Sequence, residues 1–365
     1  MEAKDLRKIS MVLIIAVLLL WVVGCTSSTQ ESNPPEAVVE DEVKDEVAEE
    51  VEETEVEEGP IVIIDHLGRE VKFDMPAQRI VSSYYIPTSM LLALGLKDKV
   101  VGIEAKANTR PIYELAAPEF LGLPSVGTMK EFDLEGTAAL EPDLVIMSVR
   151  LKDAVESLEK LGIKVIAINP EDMQLLNESL HMIAKATGRG DRVKKLIDYI
   201  DEKTAMVENL VKNEEKKDVY LGGNSDFLLT ASSKMYQHTL IETAGGKNVA
   251  GDIDDTYWAD ISYEQLIAYN PDIILGVPGT SYTKEDIMED QKLRGITAVD
   301  NSAIYFMPSG FESWDSPIPS GVLGTLWLTS VLHEDVYSFD EFKEDAFYFY
   351  KEFFGIEINK DDITK

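Results

Sequence analysis

Between Gly188 and Lys212 apolar residues recur every three or four positions, at Val193, Leu196, Ile197, Ile200, Val207, Leu210 and Val211. That spacing puts them on one face of an α-helix. Neither Pro nor Gly interrupts the run after Gly190, and Asp191 is placed to cap its start. At ~1.5 Å per residue the helix spans roughly 35 Å, about the width of a small domain. Before it, the pattern predicts a hairpin over Pro60–Phe73 turning at His66–Arg69, strands at Gln78–Ser82, Val100–Ile103, Asp143–Met147 and Lys164–Ile168, and helices at Pro87–Leu94, Pro111–Ala117, Leu151–Leu161 and Met173–Thr187. After it come strands at Asp218–Leu221, Asp272–Leu275 and Ala303–Met307, and helices at Met235–Ala244, Lys284–Met288, Ser320–Leu332 and Phe339–Phe354. Alternating strands and helices build parallel sheets. The expectation is an α/β protein of two lobes, each with a parallel sheet of roughly four strands, joined by the one long helix, with function in the cleft between them.

An internal echo supports two related lobes. Asp133-Leu134-Glu135 is followed by Leu140 and then Pro142-Asp143-Leu144-Val145-Ile146; Ser262-Tyr263-Glu264 is followed by Ile267 and then Pro271-Asp272-Ile273-Ile274-Leu275. In both, Pro stands seven residues after Glu. Each unit reads as a short helix starting near the Glu, a Pro that stops it, and a buried strand.

The first sixty residues follow another pattern. A charged start (Lys4, Arg7, Lys8) precedes an apolar run from Met11 to Val23, at ~13 residues shorter than the ~20 a lasting membrane span needs. Residues 1–24 are therefore expected to be a secretion signal, and Val22-Val23-Gly24-Cys25 resembles the lipobox of bacterial and archaeal lipoproteins, with Val22 where Leu is commonest. Two readings stay open, a lipidated Cys25 at the mature start or an uncleaved anchor with an incidental cysteine; both tether the body outside the membrane. Cys25 is the only cysteine, so the body has no internal disulfide and is held by its core. From Glu31 to Glu58 fourteen acids face one lysine, a self-repelling segment expected to be a disordered stalk, so that residues 25–59 form a linker. The chain carries a net charge of −33, and the acidic body argues against nucleic acid, which needs a basic face.

Taken together, Arg79-Ile80-Val81 with Leu94-Gly95, the paired Glu and Pro-Asp units, Leu161-Gly162-Ile163, Ala244-Gly245-Gly246-Lys247-Asn248 and the helical end resemble the substrate-binding proteins of ABC importers for iron chelates, haem and cobalamin. The resemblance covers Ile61 to Phe354. It implies a class III periplasmic-binding-protein fold, with a first lobe over 60–187, the interlobe helix over 188–215 and a second lobe over 216–358. It also implies a monomer that catalyses nothing, needs no cofactor of its own, and hands an iron(III)-siderophore, haem or corrinoid to a permease and its ATPase. In that family a surface Glu on each lobe docks on permease arginines, and the matching positions are Glu135 and Glu264. Carboxylates at helix starts are also favoured by the helix dipole alone. A single-helix link implies a small opening motion rather than wide hinge closure.

Ligands of α/β lobes meet the loops at the carboxyl ends of strands. Those loops carry Tyr84, Tyr85, Arg110, Arg150, Asn224, Tyr257, Trp258 and Trp314, the expected ligand-binding set. Aromatic rims suit a large flat or organic-wrapped ligand, and arginine suits its carboxylates or a bare oxyanion. Each also has a plainer reading, packing for the aromatics and an ion pair for Arg110 or Arg150; Trp327, at apolar helical spacing with Leu323 and Leu326, reads as core. Histidines 66, 181, 238 and 333 stand apart from one another, unlike the clustered ligands of a bare transition metal, so no metal site is assigned. An oxyanion such as molybdate or tungstate, held by Arg110 or Arg150 and backbone amides, is the alternative ligand. An extracellular hydrolase lacks Gly-x-Ser-x-Gly, paired histidines and a free thiol; a surface scaffold leaves the paired Glu units unexplained.

Overall fold

The computed structural model describes residues 59–365, and these belong to one compact unit. The signal at 1–24, Cys25 and the acidic run to Glu58 lie outside the described residues. In chain order the elements are β1 (Ile61–Ile64), β2 (Glu70–Phe73), β3 (Ile80–Ser82), α1 (Tyr85–Ala93), β4 (Val100–Gly102), α2 (Pro111–Ala116), α3 (Leu134–Ala139), β5 (Leu144–Ser148), α4 (Lys152–Lys160), β6 (Val165–Ile168), α5 (Met173–Thr187) and the long α6 (Gly190–Val211). They continue as β7 (Lys217–Gly222), β8 (Leu229–Ala231), α7 (Tyr236–Thr243), β9 (Gly246–Asn248), β10 (Trp258–Asp260), α8 (Tyr263–Tyr269), β11 (Ile273–Gly276), α9 (Lys284–Glu289), α10 (Thr297–Asp300), β12 (Ile304–Phe306), α11 (Gly321–Leu332) and α12 (Phe339–Phe349), whose last turn runs on as a π-helix over Tyr350–Phe354. No helix among the described residues is long and apolar enough to cross a membrane.

The first lobe is built on a parallel sheet in the order β4-β3-β5-β6, flanked by the antiparallel hairpin β1–β2. The second sheet departs from expectation. Its path is β10-β8-β7-β11-β12, with β9 also on β7; β7, β9, β11 and β12 run parallel, whereas β8 is antiparallel to both its neighbours, β7 and β10. These extra strands are three residues each and include Thr230, Lys247 and Asp260, too short and too polar to show a period of two.

The paired units found in the sequence take up one conformation. The residue before each Pro is left-handed, Glu141 at φ 48° and Asn270 at φ 43°, which few non-Gly residues adopt. The Asp after each Pro then ties the start of the neighbouring strand. Asp143 accepts the Gln78 and Arg79 amides at 2.9 Å, and Asp272 accepts the Asp218 amide at 2.9 Å.

Gly188, at φ 69°, ends α5 and lets the chain turn into α6. Arg189, not Asp191, is the N-cap residue; Asp191 lies in the first turn, where its charge favours the helix dipole. Val193, Leu196, Ile200 and Val207 are buried, joined by Tyr199, while Ile197, Leu210 and Val211 are partly buried against the same core. That core is continuous from Ile63 to Ile363. It lies across both lobes because α6 packs on α5, α7 and α11, and the π-helical turn folds back onto α1.

Arg192 holds this return. Its guanidinium donates to the carbonyls of Ala93 at 3.0 Å and of Glu352 and Phe353 at 2.9 Å, with the Phe353 ring 5.5 Å away. One side chain thus satisfies the end of α1 and the end of the C-terminal helix together. Hydrogen bonds from a charged donor contribute ~1.5–3 kcal/mol each, not additively. Arg192→Ala is expected to lower stability in urea unfolding by about 2–4 kcal/mol, and Arg192→Lys to recover less than half of that loss.

Candidate functional site

Strands β3, β5, β6 and β11 all end at one side of the molecule, and the loops that follow them face a cleft of about 870 Å³. It lies in the upper part of the ~300–1,000 Å³ range of small-molecule sites. Seven of the eight residues expected at the ligand line it: Tyr84, Tyr85, Arg110, Arg150, Asn224, Tyr257 and Trp258. Trp314 does not. It is wholly buried, donates its indole N–H to the Tyr350 hydroxyl at 2.8 Å, and stacks on Phe311. A Trp in a Gly- and Pro-rich loop reads as a rim residue, but here the loop dips under the cleft floor. Trp327 is buried in α11 and donates to the Thr364 carbonyl at 3.0 Å, as its helical spacing implied.

Tyr85 and Arg110 form the centre of the site. Tyr85 opens α1, Arg110 precedes Pro111 at the start of α2, and the guanidinium carbon lies 4.4 Å above the Tyr85 ring. Two side recesses of about 400 and 520 Å³ also meet at this pair, so the cleft branches around it. Tyr84 packs edge-on to Tyr85, and burial pushes both hydroxyls up from their ordinary range, so both are neutral donors. Tyr85 gives its hydrogen to Ser316 Oγ at 3.2 Å, a bond between lobes.

The two arginines differ. Arg150 pairs with Glu171 at 2.6 Å on the rim and is largely exposed, the plainer of its two readings. Arg110 is half-buried and has no ion pair among the described residues, and its Nε is buried without a hydrogen-bond partner. An unpaired guanidinium on an aromatic face in a concave site is suited to an anionic group.

Several lining residues were missed by the sequence reading: Gln237 at the start of α7, Pro278 after β11, Glu171 after β6, and Asp315 and Ser316 beyond Trp314. The carboxyl-end rule would have found those after β6 and β11. Asp315 has no pattern of its own in the sequence beside the aromatic Trp314. Beneath it, Glu312 accepts Ser89 Oγ and Ser320 Oγ at 2.6 Å each, so a loop of the second lobe is fastened under α1 of the first.

Three of the four histidines are held by hydrogen bonds within the fold, and the fourth is exposed. His66 accepts the Asn169 amide at 2.7 Å and faces Glu178 at 3.2 Å; His238 meets Asn248 at 3.3 Å and His333 the Gly245 carbonyl at 3.1 Å; His181 is exposed. No group of three or more His, Cys, Asp or Glu among the described residues is arranged to hold a metal ion. Glu135 and Glu264 are exposed in the first turns of α3 and α8, outside the cleft.

This two-lobed cleft is that of a solute-binding protein. The profile described as periplasmic binding protein matches residues 80–310, and the chain belongs to that family, which is one of extracytoplasmic binding proteins. It is 28% identical to an uncharacterized ABC transporter substrate-binding lipoprotein, YvrC of Bacillus subtilis strain 168, over 67% of this chain and 77% of that one. It is 23% identical to the molybdate-binding protein MolA of Haemophilus influenzae, over 83% of this chain and 93% of the relative. A periplasmic solute-binding protein from Veillonella parvula superimposes with a TM-score of 0.73 at 23% identity, covering 83% of this chain and 95% of the other.

Burial raises Glu312 and Asp315 to about 6 each, against the hydrogen bonds from Ser320 and Ser89 in one case and Gln237 in the other. At about pH 3 and below both are largely neutral, folded or unfolded, and do not oppose folding. Well above pH 6 both are ionised in either state, and the folded state bears the penalty, on the order of 2 kcal/mol for Glu312. Stability from these two groups therefore falls as pH rises from about 4 to 6. Glu312→Gln should flatten that dependence by on the order of 2 kcal/mol, read from urea midpoints at about pH 4.5 and 7.5; an unchanged slope would show that Glu312 ionises as freely in the fold as in water.

Proposed function

We propose that the protein captures a metal chelate, an iron(III)-siderophore, haem or corrinoid, between its lobes and delivers it to an ABC permease powered by its ATPase. The observation that carries this reading is Arg110, unpaired and laid on Tyr85, in a cleft whose other walls include Tyr84, Tyr257 and Trp258. Aromatic faces bind the organic wrapping and the guanidinium binds its anionic group. The metal brings its own donors, in keeping with scattered histidines. A bare oxyanion such as molybdate or tungstate is the second reading, favoured by the same Arg110. Against it, the cleft volume of about 870 Å³ is many times the ~30 Å³ share of one water molecule. In this reading the protein works as a monomer and catalyses nothing.

In this reading Cys25 carries lipid, the acidic linker at 25–59 spaces the body from the outer face of the cytoplasmic membrane, and residues 60–187 and 216–358 act as lobes about the helix at 188–215. Glu135 and Glu264 are the docking carboxylates; their exposure and matching positions on α3 and α8 support this.

Two measurements test the reading. Tryptophan quenching of the purified protein by iron chelates, haem or cobalamin should saturate at micromolar ligand, and Arg110→Ala should weaken the binding at least tenfold; wild-type affinity in that variant would remove Arg110 from the site. Replacing both docking residues, Glu135→Arg with Glu264→Arg, should leave ligand affinity unchanged while uptake collapses, and normal uptake by the double variant would refute the docking role.

A further inference from the structure

Among the described residues, the buried side-chain atoms left without a hydrogen-bond partner include three on residues that line this one cleft: Arg110 Nε, Gln237 Oε1 and Asp315 Oδ1. A buried polar atom left unpaired costs about 1–3 kcal/mol, more if charged, so three around one cavity call for an occupant. They differ in kind. Arg110 belongs to the first lobe and can only donate; Gln237 and Asp315, 6% and 8% exposed, belong to the second and leave acceptor oxygens unfilled. Gln237 spends its amide N–H on Asp315 Oδ2 at 3.2 Å, which fixes its orientation and turns its oxygen away from that bond. No lysine or arginine forms an ion pair with Asp315 among the described residues, and at pH 7.5 it is a carboxylate.

We propose that the cleft has two chemically opposite walls and selects a ligand carrying an anionic group for Arg110 together with N–H donors for Asp315 and Gln237. This rests on the reading of the cleft as a chelate site and narrows it. An oxyanion offers acceptors alone, and haem offers carboxylates with no outward N–H donor; both leave Asp315 facing acceptors. A corrinoid bearing side-chain amides and a phosphodiester supplies both halves.

The test is titration of the full-length protein in detergent at pH 7.5 with cyanocobalamin, haem and molybdate, repeated on Asp315→Ala, Gln237→Ala and Arg110→Ala, with melting temperatures as the check on folding. Expected are micromolar or tighter binding of cyanocobalamin, at least a hundredfold weaker binding of haem and molybdate, and a loss of tenfold or more in each variant that melts as the parent does. Gln237→Ala removes one cleft-lining amide whose only side-chain bond is to Asp315, so it reports even where the Asp315 variant fails to fold. Haem or molybdate binding as tightly as cyanocobalamin in an Arg110-dependent way would overturn the opposite-wall inference and leave the capture reading standing. Cyanocobalamin affinity unchanged in the Gln237 and Asp315 variants would overturn it as well. Silence from all three ligands would overturn the opposite-wall inference, and the capture reading would then stand or fall on the iron-chelate titration described above.

Discussion

The structure depends on one apolar core that does not stop at the boundary between lobes. Long-helix residues Val193, Leu196 and Ile200 lie in the same cluster as Leu91 of α1 and Phe349 of α12. Cores of this kind are close-packed and resist deformation. The lobes are thus seated on a shared floor, and Arg192 fastens the two helix ends that meet there. Above that floor, loops face each other across the cleft, and Tyr85 of the first lobe reaches Ser316 of the second through one polar bond.

Polar groups around the cleft differ in how far the fold serves them. Glu312 is served by Ser89 and Ser320, and Trp314 by Tyr350. Arg110, Gln237 and Asp315 each keep one buried atom unserved. Such atoms also occur elsewhere, on Asn177, Arg189, Thr230 and Tyr282, so what marks the cleft is that three of them belong to the lining of one cavity.

The fold was legible where a residue's role is set by its neighbours in sequence. The three-and-four period of α6, the Pro-Asp units and the buried runs of β5 and β11 needed only local pattern, and α5 runs from Met173 to Thr187 as its pattern implied. β8, β9 and β10 were not legible, because three-residue strands are defined by their partners. The cap at α6 was misplaced because Asp191 has the right chemistry two residues too late, the helix having started at Gly190. In the site, aromatic residues and arginines could be picked out by type, but depth could not. Trp314 and Asp315 are adjacent in sequence; one is buried in the floor and the other lines the cavity. A loop's direction is a tertiary fact.

Tyr85 has two ties of different reach. The Arg110 guanidinium rests on its ring from the same lobe, while its hydroxyl reaches Ser316 on the other. The cationic platform is therefore complete within the first lobe, whereas the Ser316 tie needs both lobes. Any separation of the lobes would cost the hydroxyl bond and leave the stacked pair intact.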